Sequence, residues 1–410
     1  CWNRPICSAP GGKIEVMERE SKDGMKTLSL TNSTRWMTNL GSYNYLGFAD
    51  DWRETCMKDV MPVLDTFPLS CSINANDYAG STVLHRELES LVARFLNKEA
   101  CLVYNMGYGT NATTIPAICS PGTLVVSDCL NHMSIVSGCR AAGAHIRVFK
   151  HNDAQDLESV LREAVVMGMP RTRRPWKKIL VMVEGIYSME GEVVDLKKIV
   201  AVAKKYKAYI YLDEAHSIGA LGATGRGACE YCGVDTKDID IMMGTFTKSF
   251  GGMGGYIAGS KELINHLRLK CAGVMYHNAL SPVVAKQVYT ALRIIMGEDG
   301  TTIGAQKLRA VRQNSNFVRR KLEDMGLHVL GDYNSPVIPF LIYVPAKISA
   351  FSRECYDRGL AVVVVGFPAT SLMTGRTRIC ISAGHTREDL EEAMNKLEEV
   401  VDKSLLRYNR

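Results

Sequence analysis

Short apolar runs alternate with helical patterns through the middle of the chain, and this alternation limits the possible folds more than any other feature. Strand-like runs cover residues 124–127, 146–149, 179–183, 209–212 and 239–243. Helical patterns, such as those at residues 84–96, 157–167 and 196–205, lie before or between these runs. Alternation of this kind predicts an α/β domain in which helices cover a mostly parallel sheet.

The two ends of the chain show different patterns. Residues 1–44 mix charged and polar residues with little periodicity, and we interpret them as an N-terminal arm. The alternating pattern predicts a large domain over residues 45–285. Longer helical patterns follow, and the last begins at Thr386, where Thr-x-x-Asp is typical of a capping box. The sequence therefore predicts a smaller C-terminal domain over residues 286–410.

Composition excludes several functional classes. Among the 410 residues, 46% are hydrophobic and 22% charged, which is typical of a soluble globular protein. The net charge of +6 favours an anionic substrate weakly and gives no reason to expect nucleic-acid binding. No apolar run approaches the ~18 residues that a membrane span requires.

Thirteen scattered cysteines, an odd number, favour reduced thiols over a disulfide framework. Cys229 and Cys232 form a lone Cys-x-x-Cys pair without a second pair, so we predict no metal site, and a zinc or redox role is the lesser alternative. The chain begins with Cys1 rather than methionine. We therefore expect a processed or trimmed form, which an anchoring segment could precede.

Lys248 follows an apolar run and precedes the glycine-rich stretch 251–259. A buried ammonium is costly unless it has a carboxylate partner, a lowered pKa or an imine bond to a carbonyl cofactor. The glycines permit close approach of the backbone to a bulky group. The alternative is a lysine that extends its ammonium group to the surface.

Asp213 ends the apolar run 209–212, and His216 follows it. Open α/β sheets bind ligands at the carboxyl ends of their strands. An aspartate and a lysine at this edge match the needs of pyridoxal phosphate, because the lysine forms a Schiff base and the acid pairs with the pyridinium nitrogen. Taken alone, an aspartate at a strand end is more often a helix cap or turn residue.

Two further motifs fit the same site. Gly107 and Tyr108 open a helical stretch, where free backbone N–H groups form a phosphate site. His132 follows a strand, so its imidazole could stack on a planar cofactor, although a lone histidine there is more often a cap or core residue. The joint order of these motifs with Asp213-x-x-His216 and Thr245-x-x-Lys248 is much more specific than any one of them.

In this order the motifs resemble those of the α-oxoamine synthases, fold-type I pyridoxal-phosphate enzymes that condense an amino acid with an acyl-CoA. Within them the chain is most similar to the catalytic subunits of eukaryotic serine palmitoyltransferases, and the resemblance spans nearly the whole sequence. The matching segments are 1–6, 39–48, 174–178, 183–191, 211–219, 244–251 and 378–386. The resemblance implies an aspartate-aminotransferase-like fold, with a mostly parallel sheet in the cofactor-binding large domain and a smaller α+β C-terminal domain.

The resemblance also implies residue roles. Lys248 would attach the cofactor and act as catalytic base, Asp213 would pair with its pyridinium nitrogen, and His132 would stack on its ring. Asn44 and Arg378 would hold the substrate carboxylate, a role that suits the fork geometry of guanidinium. The implied cofactor-binding residues are Gly107, Tyr108, His132, Asp213, His216, Thr245, Thr247, Lys248 and, toward a neighbouring chain's phosphate, Asn278.

The activity implied is the decarboxylative condensation of L-serine with palmitoyl-CoA or another long-chain acyl-CoA to 3-ketosphinganine, the first step of sphingolipid synthesis. The alternatives are a glycine C-acetyltransferase, an 8-amino-7-oxononanoate synthase, a 5-aminolevulinate synthase, or a non-catalytic partner subunit. The resemblance further implies a homodimer, or a heterodimer with a related lysine-less subunit. It places the protein at the endoplasmic reticulum membrane, facing the cytosol, attached through segments outside this chain.

Three segments depart from the family pattern, at residues 71–80, 276–279 and 368–371. We expect these departures to affect acyl-CoA contacts rather than cofactor chemistry. In the second segment the chain has Asn278 and Ala279. Only Asn278 can donate a hydrogen bond to a phosphate oxygen, so it is the predicted contact.

Overall fold

The computed structural model describes residues 5–9, 12–20, 29–71 and 80–407. Two stretches singled out above, residues 1–4 and 72–79, lie outside the described residues. The strands are β1 (Pro5–Ala9), β2 (Lys13–Glu20), β3 (Ser29–Asn39), β4 (Ala100–Tyr104), β5 (Thr123–Asp128), β6 (His145–Phe149), β7 (Lys178–Glu184), β8 (Tyr209–Asp213), β9 (Ile241–Thr245), β10 (Gly255–Gly259), β11 (Val337–Tyr343), β12 (Leu360–Ala361), β13 (Val363–Val365) and β14 (Gly375–Cys380).

Helices fill most of the connections between these strands. They are α1 (Trp52–Thr55), α2 (Met57–Val60), α3 (Val63–Thr66), α4 (Val83–Phe95), α5 (Gly107–Ile118), α6 (Met133–Ala141), α7 (Ala154–Met167), α8 (Leu196–Lys205), α9 (Ala228–Cys232), α10 (Lys261–Lys270), α11 (Ala272–Met275), α12 (Pro282–Ile295), α13 (Ile303–Asp324), α14 (Pro345–Asp357) and α15 (Arg387–Lys403). None of the helices in the described part of the chain is long and apolar enough to cross a membrane.

A seven-stranded sheet in the order β4-β10-β9-β8-β7-β5-β6 forms the largest layer. The neighbours from β9 to β6 are parallel, whereas β10 runs antiparallel to both β9 and β4. The predicted mostly parallel sheet is therefore confirmed. Strand β9 begins two residues later than predicted, because a short 3₁₀ turn at Thr236–Asp238 precedes it.

Both faces of the central strands are buried, which explains their nearly continuous apolar runs. Met182, Tyr211 and Met243 point to one face, where they pack against residues of α5, α6 and α10 in a common core. Side chains two residues further along each strand share that face. The same side of the sheet therefore carries the last residues of β7, β8 and β9, which are Glu184, Asp213 and Thr245.

The chain divides into two compact units. The first, which we call the sheet unit, comprises Arg53–Ser188 and Val193–Ala305. The second, the terminal unit, comprises Cys1–Trp52, Met189–Glu192 and Gln306–Arg410. This division differs from the predicted boundaries near residues 45 and 285, because α12 packs on α4 and α2 of the sheet unit and the N-terminal segment groups with the C-terminal part.

The terminal unit contains two small sheets, β1-β2-β3-β12 and β11-β14-β13. The sequence predicted no regular elements in residues 1–40, yet β2 and β3 form an antiparallel pair there. Strand β3 is exposed along most of its length, with only Met37 buried, so it lacks the alternation that would have revealed it. Helix α15 begins as predicted, since Thr386 Oγ1 accepts a hydrogen bond from the Asp389 N–H at 3.1 Å.

Candidate active site

A cavity of about 170 Å³ lies at the carboxyl edge of the seven-stranded sheet. The sequence predicted eight of its lining residues: Gly107, Tyr108, His132, Asp213, His216, Thr245, Thr247 and Lys248. The other lining residues are Asn111, Ser134, Glu184, Ala215 and Met243. All of them belong to the sheet unit, and they come from β7, β8, β9, α5, α6 and the loops that follow the strands.

Asp213 is the last residue of β8, and its side chain is buried, with 3% of the residue exposed. Its Oδ1 accepts from the Ala215 N–H at 2.9 Å, and its Oδ2 accepts from Asn111 Nδ2 at 2.8 Å. Both side-chain oxygens thus accept hydrogen bonds from neutral donors, which fix the orientation of the carboxyl group. A fixed, buried carboxylate of this kind suits a cationic ring nitrogen.

His132 caps α6, and its Nδ1 accepts from the Ser134 N–H at 3.3 Å. The neutral ring therefore carries its proton on Nε2. Desolvation lowers the pKa of His132; the nearby Asp213 carboxylate partly opposes this effect and the Lys248 ammonium adds to it. The imidazole is thus kept neutral near pH 7, as a ring that stacks on a cofactor should be. The Tyr108 ring meets it edge-on, with 6.3 Å between the centroids.

Glu184 ends β7 and pairs in register with Asp213 across the sheet. Its Oε1 accepts from the backbone N–H of His132. Burial raises the pKa of Glu184 well above its usual range, and the Asp213 charge adds to the effect. Glu184 therefore favours its protonated form. The sequence analysis gave Glu184 no role, although it ends a predicted strand just as Asp213 does.

Helix α5 starts at Gly107, and no side chain caps its first turn. A Cβ atom at Gly107 would lie 3.1 Å from Thr245 Cγ2, so a larger residue here would push the end of β9 away from the helix start by a few tenths of an ångström. Thr247 Oγ1 donates to Thr245 Oγ1 at 3.2 Å. The first N–H groups of a twelve-residue helix and two threonine hydroxyls therefore converge on this end of the cavity, an arrangement that suits a phosphate group.

The donor set as a whole fits pyridoxal phosphate. A buried carboxylate can accept from the ring nitrogen, an uncapped helix start can bind the phosphate, and the primary amine of Lys248 can bond to the carbonyl carbon. His216, which is buried, and Thr245, which the resemblance implied as cofactor-binding residues, line the same cavity. No metal is needed to explain these residues, and the described part of the chain contains no cluster of His, Cys, Asp and Glu that could hold one.

Asn44 and Arg378 belong to the terminal unit. Arg378 lies on β14 and is buried, with its guanidinium carbon 4.7 Å from the centre of the Tyr43 ring and its Nη1 3.5 Å from Met189 Sδ. Asn44 Oδ1 accepts from the Ala49 N–H at 3.3 Å. Its Nδ2 is buried and has no hydrogen-bond partner among the described residues. The fold thus brings both side chains to the Tyr43 segment and leaves an amide donor of Asn44 unused.

Asn278 does not line the cavity, and it is exposed. The neighbouring His277 lies near the start of α5, since a Cβ atom at Gly109 would be 3.7 Å from His277 Cε1. Tyr276 is 75% exposed. The 276–279 segment therefore runs past the start of α5, with His277 near that helix and with Tyr276 and Asn278 exposed.

Comparisons with known proteins agree with this geometry. The family model described as aminotransferase class I and II matches residues 35–397. Long chain base biosynthesis protein 2a of Arabidopsis thaliana is 55% identical over 408 residues, covering 100% of this chain and 83% of that protein. Serine palmitoyltransferase 2 of Dictyostelium discoideum is 50% identical over 410 residues, with coverage of 100% and 83%. The chain belongs to the serine palmitoyltransferase family.

Solved structures support the same conclusion. A serine palmitoyltransferase of Sphingomonas wittichii superposes with a TM-score of 0.86 at 27% identity, covering 98% of this chain and 92% of that one. Another solved structure, described as a serine palmitoyltransferase with a pyridoxal-phosphate internal aldimine, gives a TM-score of 0.85 at 26% identity, with coverage of 98% and 93%. The family resemblance and the fold-type I class predicted from the sequence are confirmed.

Proposed function

We propose that this chain uses pyridoxal phosphate to condense L-serine with a long-chain acyl-CoA such as palmitoyl-CoA, releasing CoA and CO₂ and forming 3-ketosphinganine. The observation that carries the proposal is that Lys248, Asp213 and His132 line one cavity in a chain 50% identical to a serine palmitoyltransferase. A non-catalytic partner subunit would have no need of the lysine. The cavity's chemistry therefore favours the catalytic role over the scaffold role.

Five residues account for holding the cofactor. Lys248 would hold it covalently and Asp213 would accept from its ring nitrogen, while His132 would stack on the ring. Gly107 and Tyr108 would hold the phosphate through the start of α5. When bound, pyridoxal phosphate supplies an electron sink for carbanion chemistry at the substrate's α-carbon.

The amine of Lys248 is the group that moves protons. Once serine has taken its place, the freed amine can remove the proton from the serine Cα and later return a proton to the same carbon. Lys248 is only partly exposed, and Asp213 and His132 line the same cavity. Limited access for water protects a reactive carbanion from early protonation by solvent.

Arg378 and Asn44 would bind the carboxylate of serine. A guanidinium group can hold a carboxylate through two parallel hydrogen bonds. The ring of Tyr43 fixes the orientation of Arg378, and the buried Nδ2 of Asn44 supplies a further donor. A substrate carboxylate would satisfy that donor, which otherwise represents an uncompensated cost of burial.

The proposal extends to assembly and location. Asn278 is exposed and follows His277, which lies near the start of α5, so Asn278 would be available to the phosphate of a second subunit, either in a homodimer or in a heterodimer with a related lysine-less chain. By the resemblance to eukaryotic serine palmitoyltransferases, the assembly would lie at the endoplasmic reticulum membrane and face the cytosol.

Product analysis tests the proposal. The chain, alone and co-expressed with the related lysine-less subunit, is incubated with pyridoxal phosphate, serine, glycine or alanine, and acetyl-, succinyl-, pimeloyl- or palmitoyl-CoA. Mass spectrometry should show 3-ketosphinganine from serine and palmitoyl-CoA, with loss of the serine carboxylate as CO₂. A main product from glycine or alanine with a short acyl-CoA, or no product in either preparation, would overturn the assignment.

A further inference from the structure

Asn111 occupies a central position in the cavity wall that the cofactor assignments do not use. It lies on the second turn of α5 with 1% of its surface exposed. Its Nδ2 donates to Asp213 Oδ2 at 2.8 Å and to Ser134 Oγ at 2.9 Å. Its Oδ1 accepts from the Tyr211 hydroxyl at 2.6 Å. One buried amide thus contacts β8 twice and the start of α6 once.

The chemistry of these contacts fixes the orientation of the amide. An amide oxygen can only accept, so the Tyr211 hydroxyl must donate to it. Burial raises the pKa of Tyr211 well above its usual range, which keeps that proton on the hydroxyl. The NH₂ group is then directed at Asp213, where a flipped amide would place its oxygen against a carboxylate oxygen. Tyr211 therefore holds Asn111 in the orientation in which its NH₂ group donates to Asp213.

The second N–H of Asn111 extends the network to His132. Ser134 Oγ accepts from Asn111 and can donate its own proton to His132 Nδ1, 2.7 Å away. This direction agrees with the Ser134 N–H bond to the same nitrogen, which requires Nδ1 to be an acceptor. The amide of Asn111 therefore influences both the acid at the ring nitrogen and the imidazole assigned to the ring face.

We propose that Asn111 is a positioning residue for the cofactor ring: its amide, oriented by Tyr211, holds the Asp213 carboxylate as an acceptor for the ring nitrogen and, through Ser134, sets the tautomer of His132. The inference rests on the proposed function only in taking pyridoxal phosphate as the ligand. Strand geometry supports it, since Tyr211 and Asp213 lie two residues apart on β8 and face the same helix.

Cofactor binding and ring protonation together test this inference. The apo forms of wild type, Asn111→Ala and Tyr211→Phe are titrated with pyridoxal phosphate, and ¹⁵N NMR of the ¹⁵N-labelled cofactor reports whether the ring nitrogen is protonated. We expect Asn111→Ala to weaken binding about tenfold, the usual effect of losing a hydrogen bond to a charged group. Its ¹⁵N signal should move toward that of the unprotonated ring. Tyr211→Phe should shift both readouts in the same direction by about threefold or less in affinity.

Asn314→Ala is the matched control. Asn314 is likewise buried, and its Nδ2 donates to two carbonyl oxygens, those of Ser382 and His385, in the terminal unit. Thermal unfolding of all apo forms shows how much stability is lost when a buried amide is removed at either position. The control should lose stability and leave the ¹⁵N signal unchanged.

The outcomes separate the inference from the proposed function. If wild type fails to bind pyridoxal phosphate, the proposed function itself is wrong. If wild type binds it, but Asn111→Ala and Tyr211→Phe keep the wild-type affinity and ¹⁵N signal, the positioning role is refuted. A shifted ¹⁵N signal in folded Tyr211→Phe would support that role even if Asn111→Ala proved too unstable to purify.

Discussion

The two edges of the seven-stranded sheet both carry cavities with charged walls, but they use their charges differently. The carboxyl edge encloses about 170 Å³ around Asp213 and Lys248, whereas the amino edge borders a larger space of about 900 Å³. Residues that start β7, β8 and β9, among them Lys178 and Tyr209, line this larger cavity. Volume alone would select the amino edge as the active site.

At the amino edge, charged side chains form hydrogen bonds with main-chain groups of the protein itself. Lys98 Nζ donates to the carbonyl oxygens of Thr236 and Ile239, and Lys178 Nζ donates to that of Ile118 at 2.8 Å. Asp240 Oδ2 accepts from the Ile210 N–H at 2.8 Å. These hydrogen bonds hold the loops around the sheet and so contribute to stability. The same charged groups are therefore less available to bind a ligand.

At the carboxyl edge, the charged and titratable groups face one another across the cavity. Asp213, Glu184 and His132 are held by neutral donors or acceptors, and burial shifts the pKa of Glu184 upward and that of His132 downward. Pairs of titratable groups whose pKa values are pushed in opposite directions are typical of catalytic sites. The comparison shows that the partners of the charges identify the site, and the size of the cavity does not.

The largest expected effect comes from replacing the lysine at the carboxyl edge, and it tests whether that edge carries the activity. Lys248→Ala should lower turnover about a thousandfold or more, because it removes the covalent attachment and the base that moves the Cα proton. The purified variant should also lack the visible absorbance of the covalently bound cofactor. Turnover and absorbance spectra measure both effects, and a Lys248→Ala protein with wild-type turnover would contradict the assignment.

A buried acid at the carboxyl edge should also make the stability of the protein depend on pH. Glu214, next to Asp213, is fully buried and accepts from the Ser217 hydroxyl and the Ala228 N–H. Burial raises its pKa from 4.5 to about 7. The folded state therefore binds this proton more tightly than the unfolded state does. The resulting stability is present below pH 4.5 and is lost as the pH rises toward 7, by an amount of about 3 kcal/mol.

Glu214→Gln should remove this dependence. Urea unfolding of wild type and variant between pH 4.5 and 8 should show the variant gaining relative stability as the pH rises, on top of a constant offset from the altered hydrogen bonds. Glu87→Gln, at an exposed position of α4, serves as the control and should leave the pH profile unchanged. Parallel profiles for wild type and Glu214→Gln would show that Glu214 does not titrate as described.

The smallest expected effect lies at the amino edge. Lys98→Ala should destabilise the protein by about 2 kcal/mol, because the carbonyl groups of Thr236 and Ile239 lose a charged donor. Turnover and cofactor absorbance should stay at wild-type values, in contrast to Lys248→Ala. Urea unfolding and a steady-state assay of the same preparation provide the measurement. A loss of cofactor binding in Lys98→Ala without a loss of stability would place function at this edge and reverse the comparison.

Much of the site could be predicted because its residues follow local rules. Asp213 ends an apolar run, Lys248 follows another, and Gly107 opens a helix, so each has a position that the sequence pattern reveals. The resemblance to a known family then supplied their roles. Asn44 and Arg378 depended on that resemblance alone, since nothing in their local patterns indicates a carboxylate site.

Other features have no local signal. Glu184 lies beside Asp213 only because β7 and β8 are neighbours in register, although 29 residues separate them in sequence. Strand β3 escaped prediction because it is exposed along most of its length and shows no alternation of apolar residues. The sequence also did not indicate that β10 would enter the sheet antiparallel between β4 and β9.

The sequence by itself determined the five parallel strands β5 to β9, the positions of the candidate lysine Lys248 and acid Asp213, and the family to which the chain belongs, because those properties depend on short-range periodicity and on motif order. Only the tertiary structure decided which side chains surround the predicted site residues. The amide of Asn111 becomes a donor to Asp213, 102 residues away, only when α5 packs on the face of β8 that carries Tyr211. The burial that shifts the pKa values of Glu184, His132 and Glu214 likewise arises from layers of the fold meeting around them.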